Sequence, residues 1–127
     1  MNQAYESGIR YYDTAPFYGH GLGEHRLGQM LRQKIRIEFI LSSKVGRVYS
    51  PFNGDSRDFD GSPWIGGLPF QSSFDYSAEG LERSYIDSTL RLGVNKIDLL
   101  IIHDLDHGYH GKKVNQKLKE LESGLDW

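Results

Sequence analysis

The pattern that decides the fold first appears in the stretch Ile9-Arg10-Tyr11-Tyr12-Asp13-Thr14-Ala15-Pro16-Phe17-Tyr18-Gly19, where a short strand-like run gives way to polar residues and glycine. It returns in Ile40-Leu41-Ser42-Ser43-Lys44-Val45-Gly46 and in Leu99-Leu100-Ile101-Ile102-His103-Asp104. Such a run is typical of a buried parallel strand whose carboxyl end opens into a loop. Because the carboxyl ends of parallel strands meet at one edge of a sheet, we expect the polar residues of these segments to lie together.

Helix signals alternate with the three strand signals along the chain. The predicted strands are Ile9–Tyr12, Arg36–Ser42 and Lys96–Ile102, and the predicted helices are Asn2–Ser7, Glu24–Lys34, Ala78–Leu92 and Lys112–Ser123. Glu24 is a favourable charge in the first turn of the second helix. Helical spacing predicts the buried faces of the last three helices as Leu27, Met30 and Leu31; Leu81, Tyr85, Ser88 and Leu92; and Leu118 and Leu121. No hairpin turn signal separates the strands. The alternation predicts an α/β fold of about three consecutive βα units with parallel strands.

One long segment, Val45–Tyr76, carries several prolines and many aromatic residues between the second strand and the third helix. In a compact domain, a segment of this length is expected to be a functional lid or to be poorly ordered. The alternative is that its aromatic side chains pack over the neighbouring elements. Both interpretations stay open at the level of sequence.

The composition argues against several classes of partner. The chain has 127 residues and a net charge of −2, which suits one small domain and argues against a polyanion-binding surface. Its longest wholly apolar stretch, Leu99–Ile102, is far shorter than a membrane span, and Met1–Glu6 lacks the character of a signal peptide. The absence of cysteine excludes disulfides and thiol catalysis and fits a cytoplasmic location. We therefore expect neither nucleic acid nor a membrane as a partner.

Asp13, Tyr18, Lys44 and His103 are residue types that can move a proton together. Tyrosine is a poor acid at neutral pH because its unperturbed pKa is about 10, but a nearby lysine ammonium favours the phenolate. An aspartate keeps that ammonium charged, and a histidine can hold a substrate oxygen. Such a site would interconvert alcohols and carbonyls, with the hydride carried by a nicotinamide. Taken singly, each residue also has an ordinary explanation in a turn, in packing or at a solvated strand end.

The motifs around these residues resemble those of a known enzyme family. The stretch Gly8–Gly19, continuing through Glu24 to Gly28, resembles the first signature of the aldo-keto reductases. Ser43-Lys44-Val45-Gly46-Arg47 and Lys96-Ile97-Asp98-Leu99-Leu100-Ile101-Ile102-His103-Asp104 are similar to that family's lysine and histidine segments, in the same order. The resemblance implies a (β/α)8 barrel that uses NAD or NADP. It also implies four catalytic residues, of which the tyrosine is the proton donor or acceptor and the first and last also contact the cofactor: Asp13, Tyr18, Lys44 and His103.

Within the family, Tyr18-Gly19-His20-Gly21-Leu22, Phe74-Asp75-Tyr76-Ser77 and His103-Asp104-Leu105-Asp106 are most similar to the branch of aldose 1-dehydrogenases and pyridoxal 4-dehydrogenases. That branch implies a small sugar or aldehyde substrate, oxidised at an anomeric or hemiacetal hydroxyl to a lactone. Gly23 stands where the family usually has serine, and we expect it to serve as a helix N-cap. The segment Gly19–Gly23 is only a weak nucleotide-binding motif.

The resemblance places residues 1–127 within a single barrel domain. A complete barrel has eight strands, so we expect the first strand and the C-terminal half of the barrel to lie outside this chain. The chain alone is then expected to be inactive. Its two unpaired strand edges are expected to favour self-association or pairing with the missing part of the barrel.

Two other functions stay open from the sequence. A nucleotide-binding regulatory subunit could share the fold, because fold alone does not determine function. A metal-dependent hydrolase barrel is suggested by a group of residues of the types that bind zinc or manganese: His103, Asp104, Asp106, His107 and His110. Because Gly108 interrupts this group and no fixed helical face presents it, we predict no metal site. Two further histidines, His20 and His25, are expected at the surface or the mouth of the barrel.

Overall fold

The structure of the protein is a computed structural model that describes residues 1–125. Within that range the strands are Tyr11–Asp13 (β1), Ile40–Val45 (β2), Arg47–Pro51 (β3), Phe70–Phe74 (β4) and Leu99–Ile102 (β5). The α-helices are Asn2–Glu6 (α1), Leu22–Leu31 (α2), Ala78–Leu92 (α3), His107–His110 (α4) and Val114–Gly124 (α5). The last two residues of the predicted domain, 126 and 127, lie outside the described residues.

A parallel sheet of three strands, in the order β1-β2-β5, forms the centre of the fold. Asp13 lies opposite Ser42 across β1 and β2, and Lys44 lies opposite Ile101 across β2 and β5. Helix α2 follows β1, and helix α3 precedes β5, so helices and parallel strands alternate along the chain. The predicted α/β fold with three parallel strands is confirmed.

The second strand begins and ends later than the sequence pattern predicted. Residues Arg36–Glu38, expected to open it, form a 3-10 turn, and the strand continues through Lys44 to Val45. The Arg36 guanidinium fastens this turn by donating to the Lys96 carbonyl and to the Asp98 carboxylate, each at 2.7 Å. Lys44 therefore lies inside the strand instead of just beyond it.

The long segment between β2 and α3 contains a hairpin of two further strands that no turn signal in the sequence predicted. Strands β3 and β4 pair antiparallel, with Arg47 opposite Phe74 and Pro51 opposite Phe70. The pairing gives no short-range signal because residues 52–69 separate the two strands, whereas a typical hairpin is read from a turn of about two to five residues. The sequence left two interpretations of this segment open, a lid or poorly ordered loop, or aromatic side chains that pack over neighbouring elements. The hairpin region shows aromatic packing.

The apolar core lies between the sheet and helices α2 and α3. The buried residues of these helices are mostly those that helical spacing predicted: Leu27, Met30, Leu31, Leu81, Ser88 and Leu92. Tyr85 was predicted to complete the buried stripe of α3, but it is only partly buried, and Ser84 is 1% exposed in its place. The hydroxyl of Ser84 donates to the Arg47 carbonyl, so a small polar residue is what lets α3 approach the hairpin.

The last predicted helix, Lys112–Ser123, corresponds to α5, which begins two residues later and is preceded by a short helix and a 3-10 turn. Helix α4 covers His107–His110, a 3-10 turn covers Gly111–Lys113, and α5 follows. In α5 only Leu121 of the two predicted apolar anchors is buried, whereas Leu118 is exposed. Among residues 1–125, none of the helices combines the length and apolar character needed to cross a membrane.

The face of the sheet opposite the helices is open. Four large side chains on it, one from β1, one from β2 and two from β5, are each about half exposed: Tyr11, Ile40, Leu99 and Ile101. In a closed barrel the corresponding face is the packed interior. The three strands therefore present an inner surface to solvent.

Helices α2 and α3 approach closely at Gly28, which yields a stability prediction. A Cβ at this position would lie 2.3 Å from the backbone oxygen of Leu92, and backbone cannot move aside cheaply. We expect Gly28→Ala to lower the free energy of unfolding by about 1–3 kcal/mol, measured by urea denaturation. Gly61→Ala is the control, because its nearest neighbouring atom would be at 3.4 Å. Equal stability of the two variants would contradict the close contact.

Candidate active site

The register of β1 and β2 places a lysine beside an aspartate at the carboxyl end of the sheet. The Lys44 ammonium lies 2.9 Å from the Asp13 carboxylate and donates to the Thr14 carbonyl at 3.0 Å. The other Asp13 oxygen accepts a hydrogen bond from the Ser42 hydroxyl, which itself accepts one from the Tyr11 hydroxyl at 3.2 Å. Two residues on the same face of β2, Ser42 and Lys44, thus hold both oxygens of one carboxylate.

These contacts keep both members of the pair charged. Burial acts to raise the pKa of Asp13, but the hydrogen bonds from Ser42 and Lys44 outweigh it, and the pKa lies below its usual value. Burial acts to lower the pKa of Lys44, but its interactions with Asp13 and then with Tyr18 outweigh it, and the pKa lies above its usual value. Near neutral pH the site therefore contains a carboxylate and an ammonium.

The loop after β1 carries Tyr18 back over the lysine. The Tyr18 carbonyl accepts a hydrogen bond from the Gly23 amide at 2.9 Å, which fixes the loop to the first turn of α2. The Lys44 ammonium lies 5.0 Å from the centre of the Tyr18 ring. The lysine therefore stands between the aspartate and the tyrosine, in the order that the proposed proton relay requires.

His103 faces the same group from the end of β5. Its ring centre is 6.3 Å from that of Tyr18, and the two planes meet edge-on at 87°. The histidine is 7% exposed, and its Nδ1 has no hydrogen-bond partner among residues 1–125. Burial lowers the pKa of His103, which favours the neutral imidazole. The backbone is fixed by the Tyr76 hydroxyl, which donates to the His103 carbonyl at 2.6 Å.

The structure thus brings together all four residues that the sequence singled out, on one edge of the sheet. Aromatic side chains form a wall around them: the ring of Trp64 lies 5.4 Å from Tyr18 and 5.7 Å from Phe17. Trp64 belongs to the segment that connects the hairpin strands. Chemically, the arrangement offers a phenol beside an ammonium and opposite a neutral imidazole.

The model of the aldo/keto reductase family matches residues 1–125. The chain belongs to the aldo/keto reductase family. It is similar to pyridoxal 4-dehydrogenase of Microbacterium luteolum, at 41% identity over 121 residues that cover 89% of this chain and 35% of that protein. It is also similar to D-threo-aldose 1-dehydrogenase of a Pseudomonas species, at 42% identity over 108 residues that cover 82% of this chain and 32% of that protein.

Solved structures of aldo-keto reductases share the fold. The holo form of an aldo-keto reductase from Bacillus halodurans aligns with a TM-score of 0.61 and 26% identity, over 95% of this chain and 35% of that one. A glycerol dehydrogenase from Gluconobacter oxydans aligns with a TM-score of 0.58 and 25% identity, over 96% and 34%. The expected partial (β/α)8 barrel is confirmed. The chain spans about a third of the length of these curated and structural relatives.

Residues of this aldo-keto reductase chain that sequence reasoning missed connect the site to the helices. Glu24 was interpreted only as a favourable charge in the first turn of α2, yet it is fully buried. Its carboxylate accepts from the Ser43 hydroxyl at 2.8 Å and from Arg91 of α3 at 2.5 Å. A buried carboxylate needs such partners, and both are distant in sequence. Ser42, the second partner of Asp13, was also missed because serine on a strand gives no signal by itself.

Two smaller predictions near the site were wrong. His20 was expected at the surface or mouth, but it is 7% exposed, with its Nε2 at 3.1 Å from the Gly61 carbonyl; the hairpin covers it. His25 is exposed as expected. Gly23 was expected to be the N-cap of α2, but the helix begins at Leu22 with Gly21 as N-cap, whose φ of 97° suits glycine.

The residues behind the metal-hydrolase alternative do not converge. Within residues 1–125, no group of three His, Asp or Glu side chains is placed to hold a metal ion. The Nε2 of His110 lies 3.0 Å from the Tyr76 hydroxyl, and its ring packs 4.4 Å from Phe74. Asp104 forms an ion pair with Arg47 and does not face a possible metal site. These side chains therefore have structural partners of their own.

The Asp13–Lys44 pair predicts how stability varies with pH. A lowered pKa of Asp13 contributes stability above its unfolded value of 3.8, and a raised pKa of Lys44 contributes stability below its unfolded value of 10.5. Both contributions are full between those values and are lost as pH moves outward through the folded-state pKa values. In urea titrations we expect Asp13→Asn to be less stable than the wild type in that window, with the difference shrinking at acid pH.

The control for this measurement is Asp55→Asn, which removes an exposed ion pair with Arg57. Exposed pairs contribute little to stability, so its pH dependence should stay close to that of the wild type. A constant difference between Asp13→Asn and the wild type from acid to neutral pH would contradict the charged pair.

Proposed function

We propose that this chain supplies the proton-transfer site of an NAD(P)-dependent oxidoreductase that interconverts an alcohol or hemiacetal with a carbonyl or lactone. The observation that carries the proposal is the position of Lys44, which lies 2.9 Å from Asp13 and under the ring of Tyr18, with His103 facing the same tyrosine. A relay of this kind gives a tyrosine the partner that it needs to act as a base.

In the direction of oxidation, the substrate loses a proton from oxygen and a hydride from carbon. Tyr18 accepts the proton as a phenolate, and Lys44 compensates the negative charge of that phenolate before transfer. Asp13 keeps the ammonium charged and aimed. His103, as a neutral imidazole, holds the reacting oxygen by a hydrogen bond and so fixes its orientation. A bound nicotinamide would supply the hydride acceptor, because no side chain can fill that role.

The described residues suit one end of such a cofactor. The Asp13 side chain is 41% exposed on the open face of the sheet, and the buried His103 Nδ1 has no partner within residues 1–125, so both offer polar groups beside a nicotinamide. The glycine-rich segment Gly19–Gly23 packs against α3, where a Cβ at Gly21 would lie 3.0 Å from the Arg91 side chain. We assign phosphate and adenosine binding to parts of the barrel outside this chain.

The relatives guide the choice of substrate. Their names describe a pyridoxal 4-dehydrogenase, a D-threo-aldose 1-dehydrogenase and an L-galactose dehydrogenase. A cyclic aldose and the cyclic form of pyridoxal share a hemiacetal hydroxyl, and we propose that this group binds between Tyr18 and His103. A soluble substrate of this class agrees with a cytoplasmic enzyme that needs neither nucleic acid nor a membrane.

We further propose that residues 1–127 form part of a single barrel domain. Strands β1 and β5 are the edges of the sheet, and its inner face is open, so additional strands would pair with both edges. The chain by itself is then inactive and either self-associates or pairs with the rest of the barrel. A turnover assay on the complete protein separates this proposal from a purely nucleotide-binding regulatory role, which would bind cofactor without oxidising any sugar or aldehyde.

The tyrosine provides the direct test. In the complete enzyme we expect Tyr18→Phe to lower kcat by about 10²- to 10⁴-fold, because the substrate proton has no acceptor. Cofactor affinity, measured by fluorescence titration, should change little. Tyr5→Phe is the matched control, because that hydroxyl contacts Glu38 at the far end of the fold. Weakened cofactor binding with turnover preserved would contradict the assigned role.

A further inference from the structure

Arg47, the first residue of the hairpin, lies buried beside the site. It is 5% exposed, and its guanidinium carbon lies 3.9 Å from the ring centre of Phe17 and 4.2 Å from that of Phe74. Tyr109 lies on the same group at 5.1 Å, and the Ser72 hydroxyl accepts a hydrogen bond from it at 3.0 Å. A permanent charge this deeply enclosed needs an anionic partner.

That partner is Asp104, the residue that follows the histidine. One Asp104 oxygen, Oδ2, accepts from the Arg47 Nη2 at 2.7 Å and from its Nε at 3.2 Å. The same oxygen lies 3.4 Å from Nε2 of His103. A single carboxylate oxygen therefore stands between the guanidinium and the imidazole.

The backbone at Asp104 is adapted to this position. Its φ of 54° lies in the left-handed region, which aspartate and asparagine tolerate better than most residues. The turn directs the carboxylate back toward Arg47 and the imidazole of the preceding residue. Sequence reasoning had grouped Asp104 with possible metal ligands, but its partner is this arginine.

An unpaired carboxylate at such a distance would favour a protonated histidine. The arginine opposes that effect from the other side of the same oxygen. The remaining charged groups around the imidazole are Lys44 of β2, which disfavours its protonation, and Asp13 of β1, which favours it. Burial lowers the pKa of His103, and because Lys44 and Asp13 are paired with each other, the remaining balance of charge around the imidazole depends on Arg47 and Asp104.

We propose that Arg47 and Asp104 are positioning residues that hold His103 as a neutral imidazole turned edge-on to Tyr18. Arg47 neutralises the Asp104 carboxylate. The same ion pair connects the hairpin, which begins at Arg47, to the residues that follow β5. The catalytic consequence rests on the proposed function, since a neutral imidazole can present either a donor or an acceptor to a substrate oxygen. The geometric claim does not require turnover.

The test is a titration of the His103 ring by NMR, with its signal assigned by its loss in His103→Gln. In the wild-type protein the pKa should lie below the usual value of 6.5, because burial lowers it and Arg47 offsets Asp104. Arg47→Met should raise it relative to the wild type, because the carboxylate beside the imidazole loses its partner. Asp104→Asn, which keeps the left-handed turn, should move it further down. In the double variant, Arg47→Met with Asp104→Asn, the His103 pKa should lie between the values of the two single variants.

The chain provides a matched control in Arg36 and Asp98, which form a 2.7 Å pair of the same type at the opposite end of β5. Arg36→Met should leave the His103 titration unchanged. If Arg47→Met proves too unstable to titrate, Asp104→Asn alone decides, because it retains the buried arginine among its aromatic neighbours. An unchanged pKa in Asp104→Asn would overturn the proposal, as would equal upward shifts in Arg47→Met and Arg36→Met.

In the complete enzyme, the pH profile of kcat should shift in Arg47→Met in the same direction as the histidine titration. A shifted titration without any turnover in the wild type would refute the proposed oxidoreductase function and leave the positioning role intact. If the wild-type enzyme turns over but the His103 pKa is unchanged in Asp104→Asn, the positioning role is refuted and the proposed oxidoreductase function stands.

Discussion

The ammonium of Lys44 is the charge around which the site is built. Its side chain is only 13% exposed, so it requires compensation from the protein, and it finds this in the Asp13 carboxylate and the Thr14 carbonyl. Both partners lie at the end of β1, so the pairing holds the two strands in register at the edge where chemistry occurs. Tyr18 then lies over the same ammonium because its loop is fixed to α2.

The hairpin gives the site a second support that is independent of the lysine. Arg47, the first residue of the hairpin, pairs with Asp104, which follows β5. It also packs on Phe17, the residue before Tyr18. The segment between the hairpin strands adds Trp64, whose ring borders Tyr18. The proton relay therefore belongs to the sheet, whereas the orientation of the imidazole and the aromatic wall belong to the hairpin.

Much of this could be predicted from local sequence. Strands that end in polar residues gave the parallel sheet and the common edge for Asp13, Lys44 and His103, because a strand end is encoded by a few neighbouring residues. The hairpin could not be found in this way, since its strands are separated by residues 52–69. Burial of Glu24 was equally inaccessible, because it depends on Arg91, at a separation of 67 residues, and on the position of Ser43 on β2. Long-range compensation of charge is what a single sequence conceals.

The uncovered inner face of the sheet has a consequence for the strength of the relay. Tyr11, Ile40, Leu99 and Ile101 lie there half in water, and water reaches the Asp13 carboxylate as well. Any layer placed over this surface would exclude that water and lower the effective dielectric constant around the Lys44 ammonium. Coulomb attraction grows in inverse proportion to that constant. The acidity available to the phenol is thus set by how completely the surface is enclosed, as well as by which side chains touch it.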